Sequence, residues 1–139
     1  MILLDTNVIS EPLRPHPDAQ VVAWIDAQPL ETLYLSVITV AELRTGLALL
    51  PNGKRKAVLH ESLEAKILPM FFGRILPFDL TCTQIYADLI AQTRRAGLSI
   101  AVADGYIAAI ASANKLTVAS RDTGPFAATG VAVVNPWPA

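Results

Sequence analysis

Met1-Ile2-Leu3-Leu4-Asp5-Thr6-Asn7 is an apolar run that stops at an acid and two further polar residues. That is the pattern of a short strand delivering a polar turn. Strand-like and helical stretches alternate from there to the end of the chain. Pro12, Pro15 and Pro17 break the backbone, and Asp18 is placed to cap a helix over residues 19–27 with Val21, Val22, Trp24 and Ile25 inward. Residues 32–35 alternate like a strand, Ser36 follows as an N-cap, and residues 37–50 read as a helix ending before Pro51-Asn52-Gly53. A second helical pattern covers residues 54–72, with Leu59, Leu63 and Ile67 near helical spacing and Pro69 as its kink or stop. A strand is expected over 74–78 and a helix over 81–96 with Gly97 as its C-cap. An Ala- and Ile-rich buried helix runs from Asp104 to Asn114, and buried strands follow over 116–119 and 131–134. Asp122-Thr123-Gly124-Pro125 reads as the turn between those two strands. This order predicts one α/β domain over residues 1–139, with three layers (α/β/α) and a central, mostly parallel sheet of about five short strands.

Composition agrees with a large core. Hydrophobic residues make up 53% of the 139 and mean hydropathy is +0.43, more apolar than a small monomer needs. The surplus implies a fully buried parallel sheet, a protein interface, or both. No apolar run reaches the roughly 18–20 residues of a membrane span, and the N-terminus lacks the basic segment of a signal peptide. Cys82, the only cysteine, has no partner for a disulfide and reads as a small buried residue, so a reduced, cytoplasmic setting is expected. The formal net charge of −1 does not announce a nucleic-acid binder, so affinity for phosphate must come from local basic patches or bound cations.

The placement of acids carries the chemistry. Asp5 ends the first strand, Glu42 lies in the helix after the second, Asp104 opens a helix, and Asp122 follows another buried strand. In open parallel sheets, ligands bind in the crevice beyond the carboxyl ends of the strands. Each acid alone has an ordinary reading. Asp5 and Asp104 could be N-caps, Asp122 a turn residue, and Glu42 the partner of Thr39 in a capping box if the helix began at Thr39. Together they are harder to dismiss, because carboxylates at Leu3-Leu4-Asp5 and Ala101-Val102-Ala103-Asp104 stand among apolar neighbours that penalise charge unless a cation or hydrogen bonds compensate. Clustered carboxylates without His or Cys select hard cations, Mg²⁺ or Mn²⁺, and such ions promote phosphoester hydrolysis.

The segments Leu3-Leu4-Asp5-Thr6-Asn7-Val8-Ile9, Val40-Ala41-Glu42-Leu43, Ala103-Asp104-Gly105-Tyr106-Ile107-Ala108 and Ala119-Ser120-Arg121-Asp122-Thr123 closely resemble the PIN-domain ribonucleases. Within that superfamily the chain resembles toxins of the VapC/FitB type from bacterial toxin–antitoxin pairs. Ile9-Ser10-Glu11-Pro12-Leu13-Arg14, Arg74-Ile75-Leu76-Pro77-Phe78 and Asn135-Pro136-Trp137 strengthen the likeness, especially to FitB. The resemblance covers the whole chain. It implies a PIN-like fold, an acidic Mg²⁺ site (Mn²⁺ substituting), endoribonuclease activity and a homodimer. It also implies a cognate antitoxin with a DNA-binding domain, through which operator DNA is reached only indirectly. Asp5, Glu42, Asp104 and Asp122 fall on the family's acidic positions, and Ser120 on a position where a hydroxyl supports the metal or its water. Asp5 and Asp104 would be direct ligands, with Glu42 and Asp122 binding through water or holding a second ion. Thr6 and Asn7 would orient Asp5 or cap the turn.

Arg14 and Arg121 lie beside the site motifs and are candidates for contact with the RNA backbone. Lys54-Arg55-Lys56, Arg44 and Arg94-Arg95 read more readily as solvated helix faces. His16 and His60 are single and unclustered, and Trp24 and Trp137 read as packing residues. Three other functions compete: a regulatory module that acts on its operon through the antitoxin, a DNA-cutting PIN nuclease, and a phosphatase or receiver domain with acids at strand ends. The last lacks support, since Asp5 is followed by Thr6-Asn7 rather than by a second Asp two residues on, and no acidic pair stands near the first strand.

Overall fold

The computed structural model describes all residues from Met1 to Ala139. Strand β1 (Ile2–Leu4) is followed by α1 (Thr6–Ser10) with a 3₁₀ turn over Glu11–Leu13, then α2 (Ala19–Ala27) and β2 (Leu33–Ser36). Helices α3 (Val37–Ala48) and α4 (Lys54–Glu61) come next, with a π-helical stretch over Ser62–Ile67 and α5 (Leu68–Met70). The remainder is β3 (Ile75–Leu76), α6 (Leu80–Arg95), α7 (Val102–Ala113), β4 (Thr117–Ala119), α8 (Thr123–Ala128) and β5 (Val133–Val134). The five strands form one sheet in the order β3-β2-β1-β4-β5, and every pairing is parallel.

Period-two alternation sends successive strand side chains to opposite faces, and two cores result. Leu3 and Val118 pack with Cys82, Leu89, Phe126 and the Ile107–Ala111 stretch of α7. Leu4, Leu33, Leu35 and Ala119 pack on the other face with Val8, Ile9, Val40, Leu43, Leu63 and Phe71. Helices therefore cover both faces, which is the expected three-layer arrangement. Part of the apolar surplus goes into burying β1 and β4 on both sides, with Leu3, Leu4, Val118 and Ala119 fully inaccessible, while Leu49, Phe72 and Leu80 stay exposed.

The local expectations hold in most places, and at four the backbone decides between readings or shifts one. Helix α2 is capped by Asp18, whose side chain accepts from the amides of Gln20 and Val21. Helix α6 ends with Gly97 at φ 75°, where Gly97 N–H donates to Arg94 O and Leu98 N–H to Thr93 O, a Schellman closure that glycine favours. The first is α3, which starts at Val37 with Ser36 as N-cap accepting from the Thr39 amide, as expected. Glu42 is therefore past the first turn, and the capping-box reading with Thr39 is excluded. The second is in α7, which begins at Val102 with Ala101 at its N-cap, so Asp104 lies inside the first turn instead of opening the helix. Gly105 N–H bonds to Ala101 O and registers that earlier start. The third is the segment after β4, which forms α8 and not a simple turn; Asp122 occupies its N-cap position without a side-chain cap bond. The fourth is the helical pattern over residues 54–72, which is α4, the π-helical turn and α5 in succession. The π-helical turn keeps Leu63 buried while Leu68 reaches the same core ahead of Pro69.

Candidate active site

Strand β1 is central, with β2 on one side and β4 on the other, so the chain's successive connections diverge at the carboxyl ends of β1 and β4. A crevice opens where connections leave in opposite directions. Asp5 is the residue after β1; its N–H donates to Ala119 O at 2.9 Å, which continues the β1–β4 ladder to the point where both strands end. Ser120 follows β4 immediately, so Asp5 and Ser120 meet across the crevice floor.

Asp5 is only 4% exposed. Its Oδ1 accepts from the Thr6 amide at 2.8 Å, and its Oδ2 accepts from the Ser120 hydroxyl at 2.7 Å. Thus Asp5 is both the N-cap of α1 and a site carboxylate; the two readings are compatible. Burial pushes its carboxyl above the usual range, the Ser120 and Thr6 hydrogen bonds oppose that, and the charges of Glu42 and Asp122 add to it.

Glu42, exposed on α3, reaches the same place by accepting from Thr6 Oγ1 at 2.7 Å. Thr6 Oγ1 also lies 3.2 Å from Thr39 Oγ1, and Thr39 is itself 3.4 Å from Ser36 Oγ. Asn7 binds the fourth acid: its Nδ2 donates to Asp122 Oδ2 and to Ser120 Oγ, both at 3.3 Å, while its Oδ1 accepts from the Arg121 amide. The Asp122 amide in turn donates to Ser120 Oγ at 2.9 Å. Asp104, half-buried in the first turn of α7, is pushed up to about 6, first by desolvation and then by the negative charges of Asp5, Asp122 and Glu42. No hydrogen bond or cation offsets these. The molecule's ion pairs, Arg14–Glu11 and Arg44–Glu64, are made by other acids.

Asp5 and Asp104 therefore both sense the charges of Glu42 and Asp122, and Thr6, Asn7 and Ser120 are the side chains that orient three of the four acids. Arg14 does not join the group; it pairs at 3.3 Å with Glu11. Arg121 is adjacent, but its guanidinium lies over the Trp137 ring, 5.1 Å from the centroid. Two contributors were not singled out for such roles. Thr39 stands one turn before Glu42 on α3, and that spacing was its signal. Glu11 is 3% exposed and accepts from the Asp18 amide and Arg14, tying the loop after α1 to α2. Its only signal was the Ile9–Arg14 segment, which carried the family likeness without assigning Glu11 a role.

The donor set fits a hard divalent cation: carboxylate oxygens with free lone pairs, no nitrogen or sulfur ligand, and repulsion that a cation would relieve. No three acidic, His or Cys side chains converge on one point as in a finished ligand cage. The group is an open arrangement, as expected of like charges with no Lys or Arg placed among them.

Residues 2–131, a span that takes in all four acids, match the family model of the PIN domain, and the chain belongs to that family. Among individual proteins, it is similar to the plasmid stability protein StbB of Pseudomonas syringae pv. tomato, at 65% identity over 139 residues and the full length of both chains. It is 64% identical over 137 residues to toxin FitB of Neisseria gonorrhoeae, with 99% of each covered. To a VapC ribonuclease of Sinorhizobium fredii it is 58% identical over 137 residues, with 99% of this chain and 98% of that one covered. The crystal structure of FitAcB from Neisseria gonorrhoeae superposes with a TM-score of 0.97 at 63% identity, covering all of both chains. The structure of FitAB bound to a DNA fragment also gives 0.97, at 61% identity, covering 100% of this chain and 97% of that one. The resemblance read from the motifs thus stands, and the fold is that of these relatives. No helix is long and apolar enough to cross a membrane.

Proposed function

We propose that the protein is a Mg²⁺-dependent endoribonuclease and the toxin of a toxin–antitoxin pair. The observation that carries the reading is the gathering of Asp5, Glu42, Asp104 and Asp122 at the carboxyl end of the sheet with no Lys or Arg paired to them. Asp5 and Asp104 are the direct ligands in this reading, with Glu42 and Asp122 engaging through water or a second ion; Mn²⁺ is an acceptable substitute. A bound ion supplies charge neutralisation at the phosphodiester and a coordinated water of lowered pKa. The chain's own residues do the rest. Ser120 and Thr6 hold both oxygens of Asp5 in place, Thr6 holds Glu42, and Asn7 holds Asp122. The products are a 5′-phosphate and a 3′-hydroxyl.

The names of the relatives support the assignment, since a toxin and a ribonuclease stand among them. The partners proposed are a cognate antitoxin carrying a DNA-binding domain and a second copy of this chain, in the cytoplasm. A second reading is favoured by the DNA-bound FitAB complex: a module whose main role is repression of its own operon through the antitoxin. Cleavage of a defined RNA set by purified protein, with Mg²⁺ or with EDTA, decides between them. Metal-dependent cutting that is lost in Asp5→Ala and on adding the adjacent gene's product supports the toxin reading. Cutting that persists in Asp5→Ala removes the site assignment, and no cutting at all leaves the regulatory reading.

A further inference from the structure

Arg121 is the cation nearest the acids along the chain, flanked by Ser120 and Asp122, yet it pairs with none of them. Its exposed side chain is stacked on Trp137 instead, the guanidinium carbon 5.1 Å from the ring centroid. Trp137 is a fixed support. It is half-buried and packs against the core on the Leu4 side of the sheet. Its N–H donates to Asn135 Oδ1 at 2.9 Å, closing an Asx turn, and Pro136 between them is buried. The tail after β5 is thereby folded back beside the residues that follow β4.

A guanidinium left free next to four carboxylates would fold onto them and compete with a divalent ion for the same oxygens. Stacking on an indole face prevents that while leaving the N–H edges of the planar fork open, because the aromatic contact uses the flat face of the group. The backbone at Arg121 is pinned as well, its amide donating to Asn7 Oδ1 at 3.3 Å. The side chain is thus held at both ends of its length.

We propose that Trp137 is a positioning residue that holds Arg121 at the rim of the acidic site as a preset contact for a phosphate of the RNA chain neighbouring the one that is cut. The inference rests on the ribonuclease reading. Pre-ordering a long side chain removes an entropy loss of about 0.5–1.5 kcal/mol that binding would otherwise incur. Loss of Trp137 therefore weakens RNA capture and leaves the chemical step alone.

The test is steady-state cleavage of one defined single-stranded RNA in Mg²⁺ by the full chain and four variants. W137L is expected to raise KM about two- to twelvefold, as that entropy range implies, with kcat unchanged. W137F, which keeps an aromatic face, should remain close to the unaltered protein. R121A should raise KM at least as far and reduce the slope of log affinity against log salt by about 0.7, one phosphate's share for a single strand. R121A/W137L should be no worse than R121A. An additive double variant overturns the proposal, as does a folded W137L with unchanged KM or one whose loss falls on kcat. If W137L does not fold, R121K carries the test: KM must rise toward that of R121A, and an unchanged KM overturns it. Cleavage by the unaltered protein with an indifferent W137L defeats this inference alone. Absence of any Mg²⁺-dependent cleavage by the unaltered protein defeats the ribonuclease reading and this inference with it.

Discussion

Ser120 donates its hydroxyl hydrogen to Asp5 Oδ2 at 2.7 Å, joining the ends of β4 and β1 through two fully or nearly buried side chains. The same Ser120 oxygen accepts from the Asp122 amide and from Asn7 Nδ2, so one hydroxyl positions parts of three site residues. It also holds the Asp5 carboxyl down against burial. Ser120→Ala removes all three contacts. Groups that orient metal ligands typically contribute 10–100-fold to affinity or activity, and a loss of at least about tenfold in cleavage is expected here. The acid side of the pH–activity profile should also move to higher pH, because Asp5 then loses a proton less readily. A Ser120→Ala protein with full activity and an unmoved profile would remove Ser120 from the site.

Asp104 carries the opposite lesson, since nothing in the protein compensates its charge. Its carboxyl is raised from 3.8 to about 6 in the folded state. Between those values the folded protein binds the proton that the unfolded chain has already released. Stability attributable to this group therefore falls as pH rises through that window, and the deficit is complete above about pH 6. Asp104→Asn abolishes the titration. In EDTA, the Tm difference between Asp104→Asn and the unaltered protein should be smallest near pH 4 and grow in favour of the variant up to about pH 6.5; in Mg²⁺ the variant should lose cleavage. A constant difference across that range would show that the carboxyl titrates normally.

Metal addition should reverse that instability. A ligand that binds only the folded state adds about 2.7 kcal/mol at a hundredfold excess over its Kd, enough to raise Tm by on the order of 5 °C or more in a domain of this size. Mg²⁺ or Mn²⁺ is expected to raise Tm of the unaltered protein at pH 7.5 and to do so weakly or not at all in Asp5→Ala. Equal shifts in both proteins would point to non-specific ion binding.

The sequence was most legible where one residue type has one physical job. Asp18 at a helix start, Gly97 at a helix end and the doubly buried strands around Leu3 and Val118 declare themselves through capping, left-handed backbone and unbroken apolarity. The acids were legible as a set because a carboxylate among apolar residues needs a reason, and the parallel topology gave them a common end of the sheet. Boundaries were less so. Ser36 and Thr39 are both competent caps; the sequence favoured Ser36, and the backbone excluded the Thr39 alternative. Asp104 resembles an N-cap until the helix is found to start at Val102, two residues earlier, with the Ala101 carbonyl already accepting from Gly105. Arg14 and Arg121 look alike in sequence; their partners, Glu11 and Trp137, separate them, and such pairings depend on tertiary geometry that local pattern does not encode.

Thr6 is where those two levels of information meet, because its hydroxyl links α1 to α3. It donates to Glu42 Oε1 at 2.7 Å and lies 3.2 Å from Thr39 Oγ1. Glu42 is exposed and has no other hydrogen-bond donor among the site residues, so its direction depends on this contact. Thr6→Val keeps the shape and β-branching of the side chain but cannot donate. The fold should be retained, since a single hydrogen bond to a charged group at a solvated position contributes about 1.5–3 kcal/mol at most. Glu42, freed to turn toward water, should then bind the ion less well. The expected signature is a rise in the Mg²⁺ concentration needed for half-maximal cleavage, with near-normal activity recovered at saturating metal. Glu42→Gln should instead lower the saturated rate as well, because the charge itself is gone. If Thr6→Val behaves like Glu42→Gln at every Mg²⁺ concentration, Thr6 does more than aim Glu42; if it behaves like the unaltered protein, the contact has no role in metal binding.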